Sequence, residues 1–515
     1  MELPRFLVVP ALMQGALAGV LCFVPLLDSL GYEFALAHGL LAVPTGLVIG
    51  LGAGRALTRA TAAFKRALLY ALVHLAPPLV LISLNALRVR NCDYMQGLAF
   101  YLLLPVASAL YAAALGVLLA RLLAGARRSL RMLGAALVAA APLASAVYTL
   151  YSEPPVFAYD HLWGHFAGSL YDETITLTPA LLAFRAGTLL RLVLVGALLL
   201  LWEVGRARRG VVMLAGALLT LAVAGLYEGS AGPRTGFRVD RDDVLAALPV
   251  SERRPGVVVH LPPGVPEKVR TALADEHAFR LEQLRARLDV ALPFEVHSFV
   301  YANAGDKARL MGGRTTMIAK PWLREIHIHD PVSPHPVLAH ELAHVVASAF
   351  AEPPLYVSAR GGVWVNLALV EGLAEAVTAE NDLLDLDRQS RALREMKAAP
   401  DLRVLMGPAG FWSQAPRRAY AVSGSFVRFL LTEHGPAPLK EAYRRGDFTA
   451  AYGQSLDDLV SAWESHVDVL ALSPAEQAIA AEAFRTPSIF ARPCAHVIAG
   501  LRRHAARAAP DQAVA

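Results

Sequence analysis

Seven stretches within the first 227 residues are almost unbroken in apolar side chains, near 6–27, 34–54, 67–87, 97–120, 132–151, 186–202 and 211–227. A helix that crosses a bilayer needs about 20 such residues, so each stretch predicts a span. Arg191 interrupts the sixth. The pattern then changes. "YEGSAGPRTG" (227–236) is small, polar and broken by Pro and Gly, and it reads as a linker. "GVVVHLPPG" (256–264) is a β-branched run closed by a turn. Residues 266–289 predict a charged amphipathic helix that begins at Pro266. "PFEVHSFVY" (293–301) and "REIHIHD" (324–330) alternate as strands do. From 336 onward the pattern is mostly helical. Strands followed by helices predict an α+β domain. The expected layout is a seven-span α-helical membrane domain over 1–227, a linker over 228–254, an α+β domain over 255–470 and a helical tail over 471–515.

Composition agrees with this split. The chain of 515 residues is 55% hydrophobic, and its mean hydropathy is +0.44. The net charge of +5 sits largely beside the apolar runs, so a lipid bilayer is the expected partner and nucleic acid is not. Most basic residues are arginine, a usage that suggests a GC-rich bacterial genome. With the N-terminus inside, the inner segments hold Arg5, Arg55, Arg59, Lys65, Arg66, Arg121, Arg127, Arg128, Arg131, Arg206, Arg208 and Arg209, while the outer loops hold Arg88 and Arg90. Positive residues concentrate on the cytoplasmic side. Seven spans then put the C-terminal half outside the cytoplasm, which predicts a bacterial inner-membrane protein with a periplasmic domain. Of the three cysteines, Cys22 lies in an apolar run and is expected to pack there. Cys92 and Cys494 would pair only if both faced an oxidising compartment.

Polar chemistry gathers in two places. The loop "YDHLWGHFAGSLYDE" (159–173) carries Asp160, His161, His165, Asp172 and Glu173. It is either a second site at the membrane surface or an interfacial loop anchored by Trp163 and Tyr171. The ligand spacing matches no metal template, so the interfacial reading is preferred.

The second place is "VLAHELAHVV" (337–346). Residues four apart on a helix share a face, so His340 and His344 can aim ring nitrogens at one ion. Glu341, one position along, can take a proton from water beside it. Two imidazoles and a carboxylate would otherwise be costly to bury in so apolar a helix. A catalytic zinc needs a third protein ligand. "LALVEGLAEAV" (367–377) offers Glu371 and Glu375 on one face. One of them can ligate, and the other can hold a ligating histidine ring in place.

HELAH followed by EGLAE resembles the gluzincin zinc metallopeptidases, the thermolysin and zinc-aminopeptidase group. With "AYAVSGSFVRFL" (419–430) the resemblance extends to the bacterial peptidase MA-like domains, over about 255–470. It implies a gluzincin-like fold, Zn²⁺ on His340, His344 and Glu371, Glu375 as the residue that orients a histidine, and Glu341 as the catalytic base. In the same terms "REIHIHD" looks like the edge strand along which a peptide substrate lies. Tyr420 is implied to stabilise an oxyanion, or else packs as an aromatic of the helical part. Twenty-six residues separate His344 from Glu371, more than in the best-known gluzincins. Pro353, Pro354, Gly361 and Gly362 allow a loop to absorb the excess. The aminopeptidases' "GxMEN" stretch has no counterpart, so aminopeptidase activity is not expected.

The expected function is hydrolysis of peptide or protein substrates outside the cytoplasm. The alternative is a receptor or transporter whose peptidase-like domain binds metal without turnover. In that case intramembrane charges would mark the working part, with Arg185 and Arg191 the few candidates. A protease acting within the membrane is not favoured, because HELAH lies more than a hundred residues beyond the last span.

Overall fold

The structure is a computed structural model and describes residues 3–168, 175–204, 209–379, 383–407 and 410–488, with Cys494 and Ile498. Tyr171, Asp172 and Glu173 of the polar loop lie outside the described residues, as do Arg206, Arg208 and most of the tail. The chain divides into two compact units. The first is built chiefly from Met1–Arg241 and takes in Leu310–Gly312 and Cys494. The second comprises Asp242–Arg309 and Gly313–Arg492.

The first unit is helical: α1 (Arg5–Leu21), α2 (Tyr32–Ala56), α3 (Ala60–Val73), α4 (Ala76–Asn85), α5 (Tyr94–Tyr101), α6 (Ala107–Leu122), α7 (Arg128–Ser152), α8 (Pro179–Val204) and α9 (Arg209–Thr235). Among the described residues, six helical stretches are long and apolar enough to cross a membrane, with α3–α4 and α5–α6 each counting as one. The first expected span is the exception. α1 has 17 residues, about 25 Å at 1.5 Å per residue, against a hydrocarbon core of about 30 Å. Between α5 and α6 the chain takes a π-helical turn, Leu102–Val106, around Pro105. Proline lacks the amide proton that a regular turn would use.

Small residues let α2 and α6 touch. A Cβ on Gly46 would stand 2.9 Å from the Ala109 carbonyl oxygen, and one on Gly116 would stand 2.6 Å from that of Leu47. Close approach of this kind drives helix association in lipid. Cys22 packs in the same core, as expected. Cys92 and Cys494 form a disulfide with their Cα atoms 5.6 Å apart.

The polar loop packs deeper than an interfacial loop would. It forms a two-stranded hairpin, β1 (Ala158–Asp160) and β2 (Gly164–Phe166). Asp160 Oδ1 closes the turn by accepting the amides of Leu162 and Trp163, each at 2.8 Å. Leu162 is buried with Val43, Leu47 and Ala112 from the middles of α2 and α6. Trp163 Nε1 donates to the Ala139 carbonyl of α7 at 2.8 Å. Irregular backbone among spanning helices is tolerated only where protein satisfies it, and these bonds do so. The segment expected as a linker is helical as far as Thr235. Tyr227 Oη ties it to the Ala183 carbonyl of α8 at 2.7 Å.

The second unit begins with a short helix, α10 (Arg241–Ala247), and contains β3 (Val250–Arg254), β4 (Val257–Leu261), α11 (Glu267–Leu288), β5 (Val296–Tyr301), α12 (Ala304–Leu310), β6 (Ile318–Lys320), β7 (Glu325–His329) and α13 (Leu338–Ala347). The five strands form one mixed sheet in the order β3-β4-β5-β7-β6. β4, β5 and β7 are parallel, and β3 and β6 flank them antiparallel. This corrects the expectation for "REIHIHD". β7 pairs on both sides, and the edge of the sheet is β6.

A small hairpin, β8 (Ala359–Arg360) with β9 (Trp364–Val365), leads to the helical part: α14 (Leu367–Thr378), α15 (Leu386–Glu395), α16 (Leu402–Leu405), α17 (Pro416–His434), α18 (Pro436–Arg445), α19 (Phe448–Tyr452), α20 (Leu456–Asp468) and α21 (Pro474–Ala483). α13 turns Leu338, Leu342, Val345 and Val346 into a core shared with the sheet, α11 and α14. Each such side chain contributes about 1.5–3 kcal/mol through burial. This fixes the rotation of α13, turns His340 and His344 the other way, and leaves Glu341 on the flank between the two faces.

Candidate metal centre

α13 and α14 supply every donor. Asn366 caps α14, its side chain accepting the Leu369 amide at 3.2 Å. α14 packs against α17 through interlocked glycines. A Cβ on Gly372 would sit 2.7 Å from the Ser423 carbonyl oxygen, and one on Gly424 would sit 2.7 Å from Glu375 Cβ. The glycines in "EGLAE" and "VSGSF" therefore hold α14 at the depth where its two glutamates meet α13.

There His340 Nε2 lies 3.3 Å from Glu371 Oε2, and His344 Nε2 lies 3.5 Å from the same oxygen. These donors form a group that could hold a metal ion. Two atoms bound at about 2.05 Å to a tetrahedral ion stand about 3.3 Å apart, so the observed spacings fit. On the far side of the ring His340 Nδ1 is 3.2 Å from Glu375 Oε1. That contact holds a proton on Nδ1, so the lone pair on Nε2 becomes available to a metal once the Nε2 proton leaves. Glu371 is thus the carboxylate within reach of both Nε2 atoms, and Glu375 the one that meets Nδ1 of His340.

Electrostatics follow the geometry. Burial opposes charge on His340, yet the Glu371 and Glu375 hydrogen bonds outweigh it and raise its pKa well above the ordinary imidazole value. Burial also opposes charge on Glu371, but His344 and His340 together hold its carboxyl far below the usual carboxylate range. Glu341 is buried, and burial pushes its carboxyl up against the pull of His340 and His344. A carboxyl raised in this way is a better base than a solvated one.

Tyr420, on α17, comes within 6.2 Å of the His340 ring, centroid to centroid, and packs edge-on against Phe411 at 5.3 Å. Three histidines on β7 and just beyond it do not belong to the group. His327 is stacked on Phe299 within the sheet, His329 Nδ1 meets Asp330 at 2.9 Å, and His335 Nε2 meets the His329 carbonyl at 2.9 Å. Sequence reasoning passes over Lys307. It is fully buried, donates to the Gly313 and Thr316 carbonyls at 2.5 and 2.6 Å, and lowers the Glu341 pKa through space. A lone lysine in a short helix carries no signal that could have marked it.

Comparison with known protein families finds none that matches the chain, and none of the curated proteins matches it.

Proposed function

We propose that the second unit is a zinc metallopeptidase acting on peptide or protein substrates outside the cytoplasm. The observation that carries this reading is the convergence of His340 Nε2 and His344 Nε2 on Glu371 Oε2, at 3.3 and 3.5 Å, beside the buried Glu341. Three protein donors leave a fourth position open, as in catalytic rather than structural zinc sites. Zinc held there supplies Lewis acidity toward a scissile carbonyl and toward water. Glu341 takes the proton from the attacking water and hands it to the leaving amine. Glu375 keeps the His340 ring in its tautomer. Tyr420 donates to the oxygen on which charge develops. β6 offers an antiparallel edge on which a peptide can add as a strand.

The extracytoplasmic side is supported twice. The segments between α2 and α3, between α6 and α7 and between α8 and α9 carry the arginines, whether or not α1 crosses. Cys92 follows α4, Cys494 follows α9, and both stand on the opposite side in that orientation. A disulfide between them suits an oxidising compartment.

The test is metal content and peptide turnover of the full chain in detergent. One zinc per chain is expected in the wild type. Glu341→Gln should keep the zinc and lose turnover. Normal turnover in that variant would overturn the mechanism. Zinc without turnover on any peptide in the wild type would favour the inactive, metal-binding alternative.

A further inference from the structure

The first unit holds a second polar cluster, which owes nothing to the metal group. His161, at the hairpin turn, has Nδ1 2.8 Å from Thr188 Oγ1 and Nε2 2.7 Å from Glu228 Oε1. Arg191 donates to the same Glu228 oxygen. Arg185, nearly fully buried, reaches the His161 carbonyl at 3.2 Å and Ser108 Oγ at 3.1 Å. Arg191 lies about 18 Å along α8 and Glu228 about 10 Å from the end of α9, at 1.5 Å per residue. Charges inside spanning helices face a bundle interior or a polar cavity, and they mark function. Here Arg191 and Glu228, with His161, line a cavity of about 530 Å³ whose opposite wall is apolar, with Leu115 of α6 and Val138 and Pro142 of α7.

The unused valences describe the occupant. Both bonds to Glu228 end on Oε1, so among the described residues Oε2 has no partner. Asp160 spends Oδ1 on two backbone amides, and its Oδ2 is likewise without one. Arg191 Nε is buried with no acceptor. Arg238, exposed at the rim, lines the same cavity. Spare acceptors and spare guanidinium donors stand together beside an apolar wall. A purely anionic ligand would leave the carboxylates unmatched, and a simple cation would leave the arginines unmatched. A quaternary ammonium cannot donate to Glu228.

We propose that this cavity binds a phosphoethanolamine headgroup carried by a bilayer phospholipid, its ammonium on Glu228 and Asp160 and its phosphate on Arg191 and Arg238. The acyl chains follow the apolar wall of α6 and α7. α7 is almost unburied within the protein, with 6% of its apolar window covered, so this wall is open to lipid.

The test is native mass spectrometry of the delipidated full chain, offered phosphatidylethanolamine, phosphatidylcholine and phosphatidylglycerol in equal amounts. Retention of phosphatidylethanolamine over both others is expected. Glu228→Gln should cut that preference about tenfold, as the loss of one charge-assisted hydrogen bond requires. Ala141 also lines the cavity and is exposed on α7. Ala141→Phe should put a ring on the apolar wall where the acyl chains lie without disturbing the network, and bound lipid should be lost. Equal retention of all three lipids, a preference for phosphatidylglycerol, or full selectivity in Ala141→Phe would overturn the proposal. Displacement of the lipid by free phosphoethanolamine at equal concentration would overturn the lipid as its source.

Discussion

The two polar clusters use the same residue types to opposite ends. In the second unit His340 and His344 meet Glu371. In the first unit His161 meets Glu228. The difference lies in what else reaches the carboxylate. Glu228 also accepts from Arg191, which neutralises it and occupies the oxygen that faces the histidine. Both partners of Glu371 are imidazoles, and both can give up a proton to a metal. A histidine–carboxylate pair can therefore hold a metal when a second imidazole, not a guanidinium, completes the triangle. A guanidinium brings a fixed charge that cannot be displaced. Metal ligands must be able to lose theirs.

The largest effect that would break this comparison is loss of the shared carboxylate. Glu371→Ala should lower zinc affinity by more than about 100-fold, beyond the range seen for residues that only support a ligand. Chelator competition on the purified full chain measures it, and retained tight zinc would remove Glu371 from the ligand set. Glu375→Ala should cost about 10–100-fold, since His340 keeps its place but loses its tautomer lock. Equal losses for the two glutamates would erase the distinction between ligand and support. Gly424→Ala acts on the same contact from behind. Its Cβ would press on Glu375 Cβ, and overpacking of this kind costs about 1–3 kcal/mol. Thermal unfolding temperature and zinc affinity should fall together in that variant.

The two clusters also differ in how far the sequence announces them. His340 and His344 are one helical turn apart, as are Glu371 and Glu375, so helix periodicity alone puts each pair on a face. The apolar runs mark where the spans lie in the same way, though not their ends: α1 stops at Leu21 where the run continues to residue 27, α8 starts at Pro179, and α9 runs on to Thr235. Glu228 is hidden in a segment whose Gly and Pro content reads as a linker. Its partners Arg191 and His161 lie 37 and 67 residues away, and no local pattern records them. The Cys92–Cys494 pair is separated by 402 residues. The resemblance makes β7 the edge of the sheet, and β6, with three residues, is too short for its alternation to show that a strand lies outside it.

Proton linkage sharpens the comparison by a smaller amount. In the metal-free protein the His340 pKa is raised above its unfolded value. The stability this proton contributes is therefore complete below about pH 6.5 and is lost as pH rises through the raised value. Zinc binding runs the other way, because the proton must leave. Affinity should rise up to about tenfold per pH unit until His340 is neutral. A zinc affinity that does not change with pH would mean that His340 is no ligand.

The smallest expected effect lies at the other cluster. Arg191→Met removes the guanidinium that distinguishes Glu228 from Glu371, yet it leaves a single imidazole, His161, beside the carboxylates of Glu228 and Asp160, and Asp160 Oδ1 stays on two backbone amides. His165 cannot supply a second imidazole, because its ring is stacked on Tyr159 with centroids 4.1 Å apart. The variant should gain no stoichiometric zinc in a chain that also carries Glu371→Ala, which keeps the other site out of the measurement. Tight zinc there would mean that the competing cation alone separates the two clusters. Its absence would leave the second imidazole, His344, as the residue that makes one of them a metal centre.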